Sequence, residues 1–112
     1  MPDDDTQNTP VEETLEVMTA ASVENCGLNE RELMLVRLTA LVAVGASVTS
    51  YVLNAGAAAE SGITLEDVQG ILVGAAPIIG TPRVVTAVGQ IGKALGFVIG
   101  ELAEAEMSED AG

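Results

Sequence analysis

A chain of 112 residues suffices for one domain with a modest core, and a hydrophobic content of 48% argues against disorder. A net charge of −13 with a single Tyr, Tyr51, and a single Phe, Phe97, excludes a typical nucleic-acid binder. Acidic ends repel phosphate backbones, and stacking platforms for single strands are missing.

In chain order, residues 1–8 are polar and expected to be disordered. A repeated punctuation follows. Thr9-Pro10 with Glu12 reads as an N-cap, a first-turn proline and a capping-box acid. Asn29 with Glu32, Thr64 with Asp67, and Thr81-Pro82 give three further starts. Gly27, Gly45, Gly62 and Gly80 sit where the helices should stop. The predicted helices are roughly 10–25, 30–44, 47–61, 65–79 and 82–105. Nearly every residue of 33–44 is apolar, with Arg37 and Thr39 as exceptions. A helix apolar all round is buried on all sides, which implies a partner subunit. Pro77 should kink the end of the fourth helix. In the last helix Arg83, Thr86, Gln90 and Lys93 make one polar stripe, and the tail from Ser108 is expected to be loose. The domain reading is therefore an acidic terminus at 1–8, one all-α domain at 9–106 and an acidic tail at 107–112.

Charge placement sharpens this picture. Residues 1–32 carry nine acidic side chains and one basic, Arg31, and 101–112 carry five acidic and none basic, whereas 33–100 balance. Acidic ends keep an apolar protein in solution, and a salt-rich cytoplasm is an alternative reason for them. Asp3, Asp4 and Asp5 stand where a secretion signal needs basic residues, so a cytoplasmic location is expected. Cys26 has no intrachain partner for a disulfide. Residues 38–59 carry no charge and are long enough to span a bilayer, but Gly45 and several hydroxyl residues interrupt them. No membrane partner is expected, and the row Gly92, Gly96 and Gly100 reads as close helix packing within an assembly.

Candidate chemistry concentrates on the third helix. Ser47, Ser50, Tyr51 and Asn54 lie at i, i+3, i+4 and i+7, on one face. They form either a polar pocket between helices or a packing surface whose small polar groups bond back to carbonyls. Glu32 is either a proton-relay acid or the capping partner of Asn29. Arg37, in an apolar helix, needs a counter-charge or a ligand carboxylate. Arg83, at a helix start, either meets an anion or is a solvated surface charge. Without histidine there is no Ser-His-Asp set and no metal site of the His/Cys type. No phosphate-loop or dinucleotide fingerprint occurs, and no cofactor is expected.

The segment NERELMLVRLTALVAVGASVTSYVLNAGAAAESGITLEDVQGIL resembles the core of the carboxymuconolactone decarboxylase and alkylhydroperoxidase D superfamily. The stretch APIIGTPRVVTAVGQIGKALG is similar to the C-terminal part of its histidine-free members, so the resemblance spans residues 28–97. It implies an all-α bundle of about five helices in a homotrimer or hexamer. In alkylhydroperoxidase D-like members a Cys-x-x-Cys-x-x-x-His motif ends eight residues before the turn glycine. Counted back from Gly62, that motif falls on Ser47, Ser50 and Asn54. The decarboxylase branch typically keeps the histidine, which this chain lacks. Glu32 matches a glutamate that helps relay protons in peroxidase members. A serine hydroxyl cannot cycle through a sulfenic acid, so dithiol peroxide reduction is not expected. Asn54 can orient a ligand but cannot titrate. The expectation is a homo-oligomeric family protein that binds a small, acidic metabolite without a redox-active dithiol. One alternative is a decarboxylase-like lyase, with Arg37 or Arg83 holding a carboxylate while Ser50, Tyr51 and Asn54 orient the reacting group. A peroxidase-type antioxidant is the other.

Overall fold

The computed structural model describes residues 3–111, with the side chains of 9–100 and of Glu104. Five helices follow in order: α1 (Asp3–Asn25), α2 (Glu30–Val44), α3 (Val48–Glu60), α4 (Leu65–Ile79) and α5 (Thr81–Ala111). No strand occurs among the described residues.

The three inner helices match the sequence reading to within a residue at each end. Their boundaries are written in side chains that satisfy the orphan amides of a helix start. Asn29 Oδ1 accepts from the Glu32 amide at 2.8 Å, and Glu32 Oε1 accepts from the Asn29 amide at 3.0 Å. Thr64 and Asp67 repeat this reciprocal pair at 3.1 and 2.9 Å. Ser47 caps α3 by accepting from the Ser50 amide at 3.3 Å. Gly27, Gly45, Gly62 and Gly80 all take positive φ.

The outer helices depart from expectation. Thr9-Pro10 does not start α1: the helix begins at Asp3 and runs through Pro10. A proline there removes only its own amide bond to the preceding turn, and the helix continues on both sides. The backbone of α5 is likewise helical to Ala111, beyond the expected end near residue 105.

Packing is concentrated in four helices. α3 lies along α5 and α2 along α4, and α2 also meets α3. Leu33, Met34, Val42, Tyr51, Ala58, Ala87 and Ala94 are the buried hydrophobic residues. Arg31 pins the start of α2 to the start of α4. Its Nη1 and Nη2 donate to Asp67 Oδ2 at 2.8 Å and Oδ1 at 2.7 Å, and Nη1 also reaches the Gly62 carbonyl at 3.2 Å. Such a two-pronged pair fixes direction as well as distance.

α1 makes no interface of comparable extent with the other helices. Arg37 Nη2 on α2 reaches Ser22 Oγ on α1 at 3.3 Å. Val11, Leu15 and Met18, which recur at helical spacing on α1, are exposed. The chain is correspondingly extended, at 50 × 39 × 28 Å with a radius of gyration of 16.5 Å, against about 13 Å for a compact domain of this size.

Two packing expectations fail within the single chain. α2 is not enclosed on all sides: Val36 and Val44 are 54% and 71% exposed. The α5 glycines are not close-packed either, because a Cβ added at Gly92, Gly96 or Gly100 would meet nothing within 4 Å. One chain has too few elements to cover either face. The uncharged stretch 38–59 is broken between α2 and α3 at Gly45–Ser47. Thr81–Gly100 is a 20-residue segment long and apolar enough to cross a bilayer.

Candidate functional site

The proposed polar face of α3 separates into two parts. Ser47 is spent as the N-cap and lies exposed, with its Oγ 3.3 Å from Ser50 Oγ. Asn54 turns back along its own helix, donating Nδ2 to the Ser50 carbonyl at 2.8 Å. This local bonding is what small polar side chains in helices favour. Tyr51 alone of the four points inward and lines a cavity of about 300 Å³.

The cavity arises from residue size. One helical turn and two turns beyond Tyr51, α3 carries Ala55, Ala58 and Ala59, whose methyl groups leave space beside the phenol ring. Leu38 and Val42 of α2 close one side. Ile63 and Thr64 in the turn, then Leu65, Val68, Ile71 and Leu72 of α4, form the next wall. Ile91, Ala94, Leu95 and Val98 of α5 complete it. The wall is apolar apart from the Tyr51 and Thr64 hydroxyls. Thr64 Oγ1 is already committed to the Asp67 amide. Tyr51 Oη is buried and finds no hydrogen-bond partner among the described residues. Burial also raises the phenol's pKa above its ordinary 10.0, so the hydroxyl stays protonated, and able to donate, throughout the neutral range.

The other candidates lie outside this cavity. Glu32 is an exposed capping acid. Arg37 is half-buried and engages Ser22, and no carboxylate lies within ion-pair distance of it among the described residues. Arg83 Nη1 donates to the Ala43 carbonyl at 2.9 Å, near the C-terminus of α2, where unsatisfied carbonyls attract a cation. It lies close over Gly45, where an added Cβ would stand 3.1 Å from Nη1. Gly45 also has φ of 70°, a conformation that disfavours a side chain. Cys26 is unpaired and half-buried near the end of α1. Among the described residues no group of three or more His, Cys, Asp or Glu side chains is placed to hold a metal ion.

Sequence reasoning missed the cavity wall. The signal was present as alanines at i+4, i+7 and i+8 from Tyr51, but alanine spacing does not tell a cavity from a tight helix contact. Arg31 and Asp67 were missed as a pair because 36 residues separate them.

Five helices around an apolar cavity, with a capped helix where the superfamily carries its reactive motif, define an all-α bundle of the carboxymuconolactone decarboxylase-like class. A family model described as the carboxymuconolactone decarboxylase family matches residues 10–91, and the chain belongs to that family. Neither the curated proteins nor the solved structures searched give a match.

Proposed function

We propose that this family member is a homo-oligomer that binds a small molecule in the cavity between α2, α3, α4 and α5, without dithiol redox chemistry. The cavity itself carries the reading: about 300 Å³ of largely apolar space beside a buried hydroxyl has the make-up of a small-molecule site. Ser47, Ser50 and Asn54 stand at the positions of the superfamily's reactive motif, and none of them titrates near neutrality or reduces a peroxide. The lining also lacks a carboxylate, a histidine and an amine, which favours binding over acid–base catalysis. Cumene, a bare hydrocarbon, is expected to bind saturably at one site per chain. Ala55→Phe, which puts a ring into the cavity, should abolish that binding. Absence of saturable cumene binding would overturn the reading.

Oligomerisation is supported by the apolar surface left open on α1, α2, α4 and α5. Ile78 is 90% exposed, and it borders a second apolar groove formed by Leu35, Val36 and Ala40 of α2 with Ala75 and Ile79 of α4. Contiguous apolar surface of this kind marks an interaction site. Light scattering coupled to size-exclusion chromatography, without detergent, should give a multiple of the 11.4 kDa chain mass. A folded monomer at micromolar concentration would sink the oligomer.

A further inference from the structure

The same cavity carries information about what it takes. Its wall is hydrocarbon apart from two hydroxyls, and only that of Tyr51 is uncommitted. Tyr51 is 5% exposed, so water does not readily serve its hydroxyl. A buried polar group without a partner is unfavourable, and a ligand that supplies the partner removes that penalty on binding. No arginine or lysine lines the wall. Arg37 is turned to Ser22 and Arg83 to the Ala43 carbonyl. A carboxylate entering this space would lose its hydration and meet one neutral donor in return, which is a poor exchange for a full charge.

We infer that the cavity selects neutral, predominantly hydrocarbon molecules bearing one carbonyl-type acceptor, and that Tyr51 Oη donates the hydrogen bond that orients them. The inference rests on the cavity being the ligand site, as proposed above. It replaces the acidic metabolite that the arginines had suggested with a ketone- or ester-like one. Selection then has two parts. The alanine face of α3 and the branched side chains of α4 and α5 exclude water and set the size. The phenol sets polarity, because a site built around one donor discriminates against ligands that leave it unpaired.

Three probes of nearly equal size separate these parts: cumene has no acceptor, acetophenone has one neutral acceptor, and benzoate carries a charge. Their affinities for the full-length wild type and for Tyr51→Phe are to be measured by calorimetry. The variant keeps the ring and removes only the hydroxyl. Acetophenone should bind about tenfold more weakly to Tyr51→Phe, as loss of one hydrogen bond of about 1.4 kcal/mol implies, with cumene changed little. Benzoate should bind the wild type at least tenfold more weakly than acetophenone. The carbonyl stretch of bound acetophenone should lie at lower frequency in the wild type than in the variant, a signature that a merely structural tyrosine would not produce. If cumene binds but acetophenone and cumene respond alike to Tyr51→Phe, or benzoate competes on equal terms, the inference falls and the site remains. If none of the three binds, a side chain of a second copy fills the space, and both the site and the inference fall.

Discussion

A buried phenol ordinarily finds a partner for its hydroxyl, and Tyr51 has none among the described residues. Its stability consequence is separate from binding. In the ligand-free protein, Tyr51→Phe should raise stability by about 1 kcal/mol, because it deletes an unsatisfied polar group while leaving the ring in place. Thermal denaturation of the two proteins without added ligand checks this, and a destabilised variant would mean that the hydroxyl is satisfied after all. At this scale the sequence was informative about chemistry type but not about direction. Ser47, Ser50, Tyr51 and Asn54 share a helical face, yet capping claims Ser47 and a local carbonyl claims Asn54. Short polar side chains are drawn to nearby backbone, whereas the longer Tyr51 side chain reaches past it. Spacing alone does not separate the two cases.

Between elements, the most specific link is Arg31 with Asp67, joining the first turns of α2 and α4. The Arg31 guanidinium and the Thr64 amide hold the Asp67 carboxyl well below its ordinary value of 3.8. A depressed carboxylate contributes stability above its ordinary value and loses that contribution as pH falls below it. Asp67→Asn should therefore be less stable than wild type near neutrality, and the gap should close as pH drops below 3.8. Acid titrations of the two proteins followed by circular dichroism measure that gap; one that stays constant into strong acid would show that the pair contributes nothing. The helix limits themselves were legible, because Asn29, Thr64, Gly45 and Gly80 act within a few residues of where they stand. The link between α2 and α4 was not, since it spans a folded distance that no local pattern encodes. Pro10 misled for a related reason: the same residue that favours a first turn is tolerated within α1.

The whole molecule presents more apolar surface than its four packed helices cover. The α5 face with Gly89, Gly92, Gly96 and Gly100, flanked by the exposed Val85, Val88 and Ile99, is open in the single chain. Small residues there would let a second helix approach closely. Gly92→Leu meets no obstacle within the chain and improves helix propensity, so the monomer fold should survive. If this face is the interface, the same change should lower the assembly mass measured by light scattering while leaving helix content intact. An unchanged mass would move the interface elsewhere, to α1 or to the groove between α2 and α4. The apolar run of α2 indicated missing partners correctly in kind, but no sequence pattern states which copy covers which face.

The chain contains one tyrosine and no tryptophan. Its ultraviolet emission therefore comes from a single ring, and that ring forms part of the cavity wall. The protein carries its own spectroscopic reporter, without labelling or mutation. Quenching, lifetime and anisotropy of that one fluorophore all describe the same few ångströms of the interior, so an occupant can be followed by its effect on the wall beside it.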